Sequence, residues 1–230
     1  MNIAIIPARG GSKRIPKKNI KDFNGKPIIA YSIETAIQSG LFEKVVVSTD
    51  DEEIAKLAES FGAEIPFLRS KELSDDYTAI NPVISHALKN CNLEGYVHAC
   101  CIFATSPLLM MDDLRISYDQ LKNSNYKFIF SATDFPHPIE RAFKLGNSGK
   151  GLEMLSPEMY TSRSQDLGNW MHDAGQFYWG KIDSWLKEEM NFDRHSCAYK
   201  LPMWRAQDID TPDDWMRAEI IHKMLEQNTL

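Results

Sequence analysis

Short apolar, β-branched runs alternate with helical patterns through the first half of the chain, and this alternation restricts the fold more than any other feature. Ile3–Ile6 reads as a strand with no polar face. Pro27–Gln38 follows as a helix, with Ile28, Ile29, Tyr31, Ile33 and Ile37 apolar and Gly40 at its stop. Val45–Ser48 is the next strand, and Thr49, Asp50 and Asp51 open a helix over Glu52–Phe61 that Gly62 ends. The pattern then predicts a short strand at Glu64–Leu68, a helix at Ile80–Leu88 and a strand at Tyr96–Ala104. A helix at Asp112–Leu121 and a strand at Phe128–Thr133 complete it. Strands apolar on both faces need helices on both faces, so the expectation is an α/β fold with a mostly parallel sheet. Ligands of such sheets sit beyond the carboxyl ends of the strands. Polar or special residues follow several of those ends: Arg9–Ser12, Ser48–Asp50, Thr105–Pro107 and Thr133–Pro138.

The second half is less regular. Two prolines fall in Phe135–Pro138, Gly146–Gly151 is a turn cluster, and Met159–Asp173 is polar. A strand is expected at Gln176–Trp179, a helix at Ile182–Glu188 and a strand at Cys197–Leu201. The last helix opens at Thr211-Pro212-Asp213-Asp214, with an N-cap, a proline at the first position and acids in the first turn. With no repeat, low-complexity tract or linker, residues 1–230 read as one domain.

Charge is unevenly placed. The chain carries 26 Lys and Arg against 32 Asp and Glu, a net −6. From Arg9 to Lys21 there are six cations (Arg9, Lys13, Arg14, Lys17, Lys18, Lys21) and no acid; without them, 20 cations against 32 acids leave −12. A cation-rich loop containing Gly10 and Gly11 directly after a strand suits a polyphosphate: exposed N–H groups, close backbone approach and several positive charges. The bland alternative is a solvated basic loop. The loop is neither G-x-x-x-x-G-K-[ST] nor G-x-G-x-x-G, which disfavours P-loop nucleotidases and dinucleotide dehydrogenases. The acidic remainder argues against nucleic acid as a partner. No apolar run approaches the ~20 residues of a membrane span, and no signal peptide is expected, because Met1-Asn2 leads straight into the first strand. The four cysteines, Cys91, Cys100, Cys101 and Cys197, read as reduced, buried thiols of a cytoplasmic protein, with no C-x₂-C pair for a metal cluster.

Asp208 and Asp210 are the metal candidates. In an extended segment residues i and i+2 share a face, so two carboxylates can meet one ion, although an acidic cluster ahead of a helix explains them equally well on spacing alone. Asp213 and Asp214 are assigned to capping, and Lys17 and Lys21 to solubility.

The loop Ile6-Pro7-Ala8-Arg9-Gly10-Gly11-Ser12-Lys13-Arg14-Ile15-Pro16-Lys17-Lys18-Asn19 resembles the signature of the CMP-sugar synthetases, cytidylyltransferases that activate nonulosonic acids. Val47-Ser48-Thr49-Asp50 with Ile54-Ala55, Phe67-Leu68-Arg69 with Glu72-Leu73, Asp75 and Thr78, Thr105-Ser106-Pro107-Leu108 and Asp208-Ile209-Asp210-Thr211-Pro212 agree in order, so the resemblance runs from about residue 3 to residue 220. His172–Gly180, Ser162–Asp166 and Pro136–Arg141 are most similar to the pseudaminic acid branch. Phe103 stands where the sialic acid branch typically has glutamine.

The resemblance implies a three-layer Rossmann-like nucleotide-diphospho-sugar transferase fold. It also implies transfer of CMP from CTP to the anomeric hydroxyl of an acid sugar, pseudaminic acid by branch, with N-acetylneuraminic, legionaminic or 3-deoxy-manno-octulosonic acid as the alternative. Mg²⁺ held by Asp208 and Asp210 and a homodimer are implied as well, with dimerisation and sugar contacts within about 135–190. Ala8, Arg9, Gly10, Gly11, Ser12, Lys13, Lys18, Asn19 and Arg69 would bind nucleotide. Arg9, Lys13, Lys18, Asp208 and Asp210 would act in catalysis. Phe103, Thr105, Arg141, Lys144, Arg163, Gln165, His172, Asp173 and Gln176 would bind the sugar. Phe177, Tyr178 and Trp179 are expected at a dimer contact or a pocket wall. The general base is left open between an Asp and a metal-bound hydroxide.

Overall fold

A computed structural model describes residues 1–147 and 149–227. In chain order its elements are β1 (Asn2–Pro7), a two-residue-per-arm hairpin β2 (Asp22–Phe23) and β3 (Lys26–Pro27), α1 (Ile28–Ser39), β4 (Lys44–Ser48), α2 (Glu52–Ser60) and α3 (Ile80–Lys89). Then come β5 (His98–Ile102), α4 (Met111–Lys122), β6 (Phe128–Asp134), a small hairpin β7 (Phe143–Leu145) and β8 (Leu152–Met154), β9 (Met171–Lys181), α5 (Ile182–Leu186), β10 (Ser196–Lys200) and α6 (Pro212–Glu226).

Six strands form one sheet in the order β10-β6-β9-β5-β1-β4. β1 runs parallel to both β4 and β5, and β10 is parallel to β6; β9 enters between β5 and β6 antiparallel to both. The sheet is therefore mostly parallel, as the alternating pattern predicts. Successive side chains in a strand point to opposite faces. Ala4 and Ile6 of β1 accordingly join Ile29, Ile33, Ile54 and Leu114 in one core, while Ile3 and Ile5 join Ile84, Leu88 and Trp185 in the other. Helices α1, α2 and α4 cover the first face, and α3 and α5 the second. A third, smaller cluster ties α6 to the β2–β3 hairpin through Trp215, Phe23 and Tyr31.

Several sequence expectations are corrected. Glu64–Leu68 is not a strand: only Glu64 bridges, to Val46, and Pro66 two residues on has no N–H to extend the ladder. β9 is far longer than Gln176–Trp179, because its start, Met171 to Asp173, is exposed and includes the polar His172 and Asp173, and so gives no apolar pattern. Phe177 and Trp179 are fully buried and Tyr178 nearly so; Trp179 stacks on Phe42 with ring centroids 5.1 Å apart, so these residues are core and not a free contact surface. The β2–β3 hairpin was unforeseen, although Asn24-Gly25 is its turn, with φ of 49° and 98°. All four cysteines are free, but only Cys100 and Cys101 are buried; as neighbours in a strand they point into opposite cores, and Cys91 and Cys197 are half-buried.

Gly180 shows how tightly β9 is held. A Cβ there would sit 2.5 Å from both Phe128 Cε1 and Trp185 Nε1. Gly180→Ala is expected to lower stability by about 1–3 kcal/mol through overpacking, measurable as a lower urea midpoint at unchanged m-value.

Candidate active site

The chain leaves β1 at Pro7 and enters the cation-rich loop, whose path is set by hydrogen bonds. Ala8 N donates to Ser48 O at 2.9 Å, Gly10 N to Asp50 Oδ1 at 3.0 Å, and Asn19 Nδ2 to Arg9 O at 2.9 Å. Gly10 is required by space: a Cβ would meet Asp51 Oδ2 at 2.6 Å. Asp51 is occupied as the N-cap of α2, accepting from Glu53 N at 2.7 Å and Ile54 N at 3.2 Å. The two acids after β4 thus divide the work, Asp51 capping a helix and Asp50 holding the loop.

A cavity of about 580 Å³ opens beyond the ends of β1 and β5. Arg9, Ser12, Lys13, Arg14, Lys18, Asn19 and Arg69 bring polar groups to it, and Ile80, Val83, Phe103 and Ala104 give it an apolar side. Phe103 packs edge-on against Tyr178 with centroids 5.1 Å apart, and its backbone N–H donates to Gln176 O at 2.9 Å. Arg69 is 5% exposed; its Nε donates to Ser74 Oγ at 3.1 Å, and its guanidinium lies 4.0 Å from Asp50. Burial pushes the Arg69 pKa down, and Asp50 acts against that shift.

The acidic rim comes from the far end of the chain. Asp210 Oδ2 is 2.9 Å from Arg14, and its Oδ1 is 3.3 Å from Lys18 Nζ, which also donates to Ile209 O at 2.8 Å. Asp214 holds Asp210 in place by accepting its backbone N–H at 3.3 Å while completing a capping box with Thr211. Asp208 stands beside this pair. Its outer side is exposed, yet surrounding protein displaces enough water, with Asp210 adding like charge, to raise its pKa above the ordinary aspartate value. Asp208 and Asp210 supply two hard oxygen donors of the kind Mg²⁺ takes, with Arg14 and Lys18 at present on Asp210; no third carboxylate, His or Cys joins them in a metal-holding group among the described residues. Of the two lysines assigned to solubility, Lys17 pairs with Glu53 and Lys21 sits 4.3 Å over the Trp215 ring.

Arg9, Ser12, Lys13, Lys18, Asn19, Arg69, Phe103, Thr105 and Asp210 are therefore brought to one cavity. Ala8 is buried beneath it, Gly10 and Gly11 belong to the backbone of its loop, and Asp208 lies next to Asp210 without lining it. The remaining sugar candidates are elsewhere. Gln176 is fully buried and donates through Nε2 to Arg205 O, so it supports the wall behind Phe103. Arg141 donates to Ser162 O at 2.6 Å, Lys144 pairs with Glu153 across the β7–β8 hairpin at 3.3 Å, and Arg163 forks onto Asp166. Gln165 is exposed in the same segment. His172 and Asp173 line a different cleft with Phe130 and Phe192, and Asp173 accepts from Tyr178 Oη. Arg141, Lys144, Arg163 and Gln165 do not line the cavity that holds Phe103, and Asp173 reaches it only through Tyr178, which packs on the Phe103 ring.

Arg14, Asp75, Asp76 and Thr78 also line the cavity; Asp75 and Thr78 belong to the matched motifs without an assigned role, and Asp76 was left out altogether. Arg14 was visible as one of six cations; Asp76 gave no local signal. Sequence reasoning also missed a buried pair. Arg205 forks onto Asp113 of α4, with Nη2 to Oδ1 at 2.9 Å, and Tyr199 Oη donates to the same carboxylate at 3.1 Å. This pair, 92 residues apart in sequence, pins the connection that carries Asp208 and Asp210. Arg205→Ala would leave Asp113 buried without its cation, and a loss of about 3–5 kcal/mol in chemical unfolding is expected.

Comparison with known proteins adds four findings. A family model described as cytidylyltransferase matches residues 3–163. The pseudaminic acid cytidylyltransferase of Campylobacter jejuni is 48% identical over 225 residues, 97% of each chain. The N-acylneuraminate cytidylyltransferase of Escherichia coli is 50% identical over 225 residues, 96% of this chain but 52% of that one. Among solved structures, a CMP:2-keto-3-deoxy-manno-octonic acid synthetase complexed with CTP superposes with a TM-score of 0.69 at 16% identity over 99% of both chains, a likeness of fold.

Proposed function

The chain belongs to the cytidylyltransferase family, and we propose that it transfers CMP from CTP to the anomeric hydroxyl of pseudaminic acid, releasing pyrophosphate. The observation that carries this reading is the joining of the loop cations, Arg69 and Asp210 around one cavity at the strand ends, in a chain matched end to end by a pseudaminic acid cytidylyltransferase.

In this reaction the sugar hydroxyl oxygen gives up its proton to a base and attacks the α-phosphorus, a new P–O bond forms, and the bond to the oxygen bridging to the β-phosphate breaks with its electron pair leaving on pyrophosphate. Little covalent work falls to the protein; it aligns the groups and offsets charge on the leaving oxygens. Arg9, Ser12, Lys13 and Lys18, with the N–H groups of Gly10 and Gly11 and with Asn19 holding the loop at Arg9, are assigned to the triphosphate. Arg69, buried and anchored, is assigned to the nucleoside side. Phe103 and Thr105 are assigned to the sugar side, where an aromatic face replaces an amide. Asp208 and Asp210 would hold Mg²⁺, which when bound adds positive charge at the phosphates.

A homodimer is part of the proposal. Phe143, Leu145, Leu152, Leu155 and Tyr160 are each more than 60% exposed on and around the β7–β8 hairpin, an apolar patch suited to a second copy. Such a neighbour would also give Arg141, Lys144, Arg163 and Gln165 somewhere to act. Four free thiols and the use of CTP accord with a cytoplasmic setting for surface-glycan synthesis.

The 50% identical N-acylneuraminate relative favours a second reading, with a sialic acid as acceptor. Pyrophosphate release from CTP and Mg²⁺ with pseudaminic, neuraminic and legionaminic acids separates the two. Release with pseudaminic acid alone is the expected result; release with neuraminic acid instead would transfer the assignment to the second reading, and no release from folded protein would remove both. Asp210→Asn is expected to reduce kcat by roughly 100-fold or more with an unchanged circular dichroism spectrum, and a near-normal rate would remove the metal assignment.

A further inference from the structure

The cation loop already holds an anion of its own. Asp75 Oδ1 accepts from Tyr77 N at 2.9 Å, Thr78 N at 2.7 Å and Thr78 Oγ1 at 2.7 Å, closing a tight turn ahead of α3. That turn carries the next side chain, Asp76, back over the cavity. Asp76 Oδ1 lies 2.7 Å from Arg9 Nη1, and its other oxygen pairs with Lys13 Nζ. The Asp75 carbonyl accepts from the same Arg9 nitrogen at 2.6 Å. The two cations hold the Asp76 carboxyl below its usual range, so it is a full negative charge near neutral pH. The other acids around the loop have separate partners: Asp50 holds Gly10, Asp51 caps α2, Glu53 takes Lys17, and Asp210 takes Arg14 and Lys18.

We propose that Asp76 is a built-in competitor for the phosphate-binding cations, which an incoming polyphosphate displaces from Arg9 and Lys13. The inference rests on the reading of this loop as the triphosphate site. A phosphate group and the carboxylate cannot share these cations without strong mutual repulsion at such short range. Because Asp76 is tethered, it competes at high effective concentration, and a ligand needs more than one phosphate charge to win. The contact thus filters ligands by charge and favours release of a product that retains a single phosphate. The pair is partly exposed, so displacing it is cheap enough to be reversible.

The test is calorimetric titration of the full chain, wild type, Asp76→Asn and Asp76→Glu, with inorganic pyrophosphate, CTP and cytidine. Asp76→Asn is expected to tighten pyrophosphate and CTP by roughly 3–10-fold, less at high salt, and to leave cytidine unchanged. Asp76→Glu, which keeps the charge, is expected to bind as wild type does. Unchanged or weaker pyrophosphate binding by Asp76→Asn would overturn the inference and make Asp76 a residue that orders the cations. Tighter pyrophosphate with no CTP binding to any of the three proteins would uphold the competitor and remove the triphosphate reading. Pyrophosphate binding to none of them would remove both.

Discussion

The complete burial of β1 on both faces governs the rest of this structure. Its four central residues, Ile3 to Ile6, are inaccessible, two in each core, and its edges are paired to β4 and β5. A strand with no free face and no free edge can meet a ligand only where its ladder stops. Its exit at Pro7 therefore fixes where the cation loop must lie. The neighbouring strands deliver their own terminal residues to the same place: Asp50 and Asp51 after β4, and Phe103 to Thr105 after β5.

Six cations in thirteen residues would repel one another if left alone. The fold meets them with acids from three other segments and an aromatic ring. Asp76 faces Arg9 and Lys13, Asp210 faces Arg14 and Lys18, Glu53 faces Lys17, and Trp215 lies under Lys21. These contacts are mostly at the surface, where each is weak and screened. Weakness is useful here, because exposed ion pairs can be exchanged for phosphate contacts at little cost. The firm parts of the site are the buried ones: Arg69 behind Asp50, and the Arg205–Asp113 fork that steadies the acidic rim.

Legibility along the chain followed burial. Elements apolar on one face or two, such as β1, α1, β4 and α3, were found within a residue or two of their ends. The first part of β9 was hidden because His172 and Asp173 are exposed, and the false strand at Glu64–Leu68 had the right composition but a proline inside it. The loop cations, Phe103 and Asp210 were readable from motif spacing. Asp76 and Arg205 were not, since their partners lie 63 to 92 residues away and neither side chain belongs to a local pattern.

The sequence by itself determined the α/β class, the capping of the last helix and the concentration of positive charge after the first strand, because each depends on residues within one or two turns of each other. The tertiary structure decided which acids face those cations, that β9 runs backwards between β5 and β6, and that Gln176 serves as a buried brace. Those outcomes depend on pairings across the sheet and on groups competing for the same hydrogen bonds. Long-range competition of that kind leaves no periodic trace in a single sequence, so only the assembled fold resolves it.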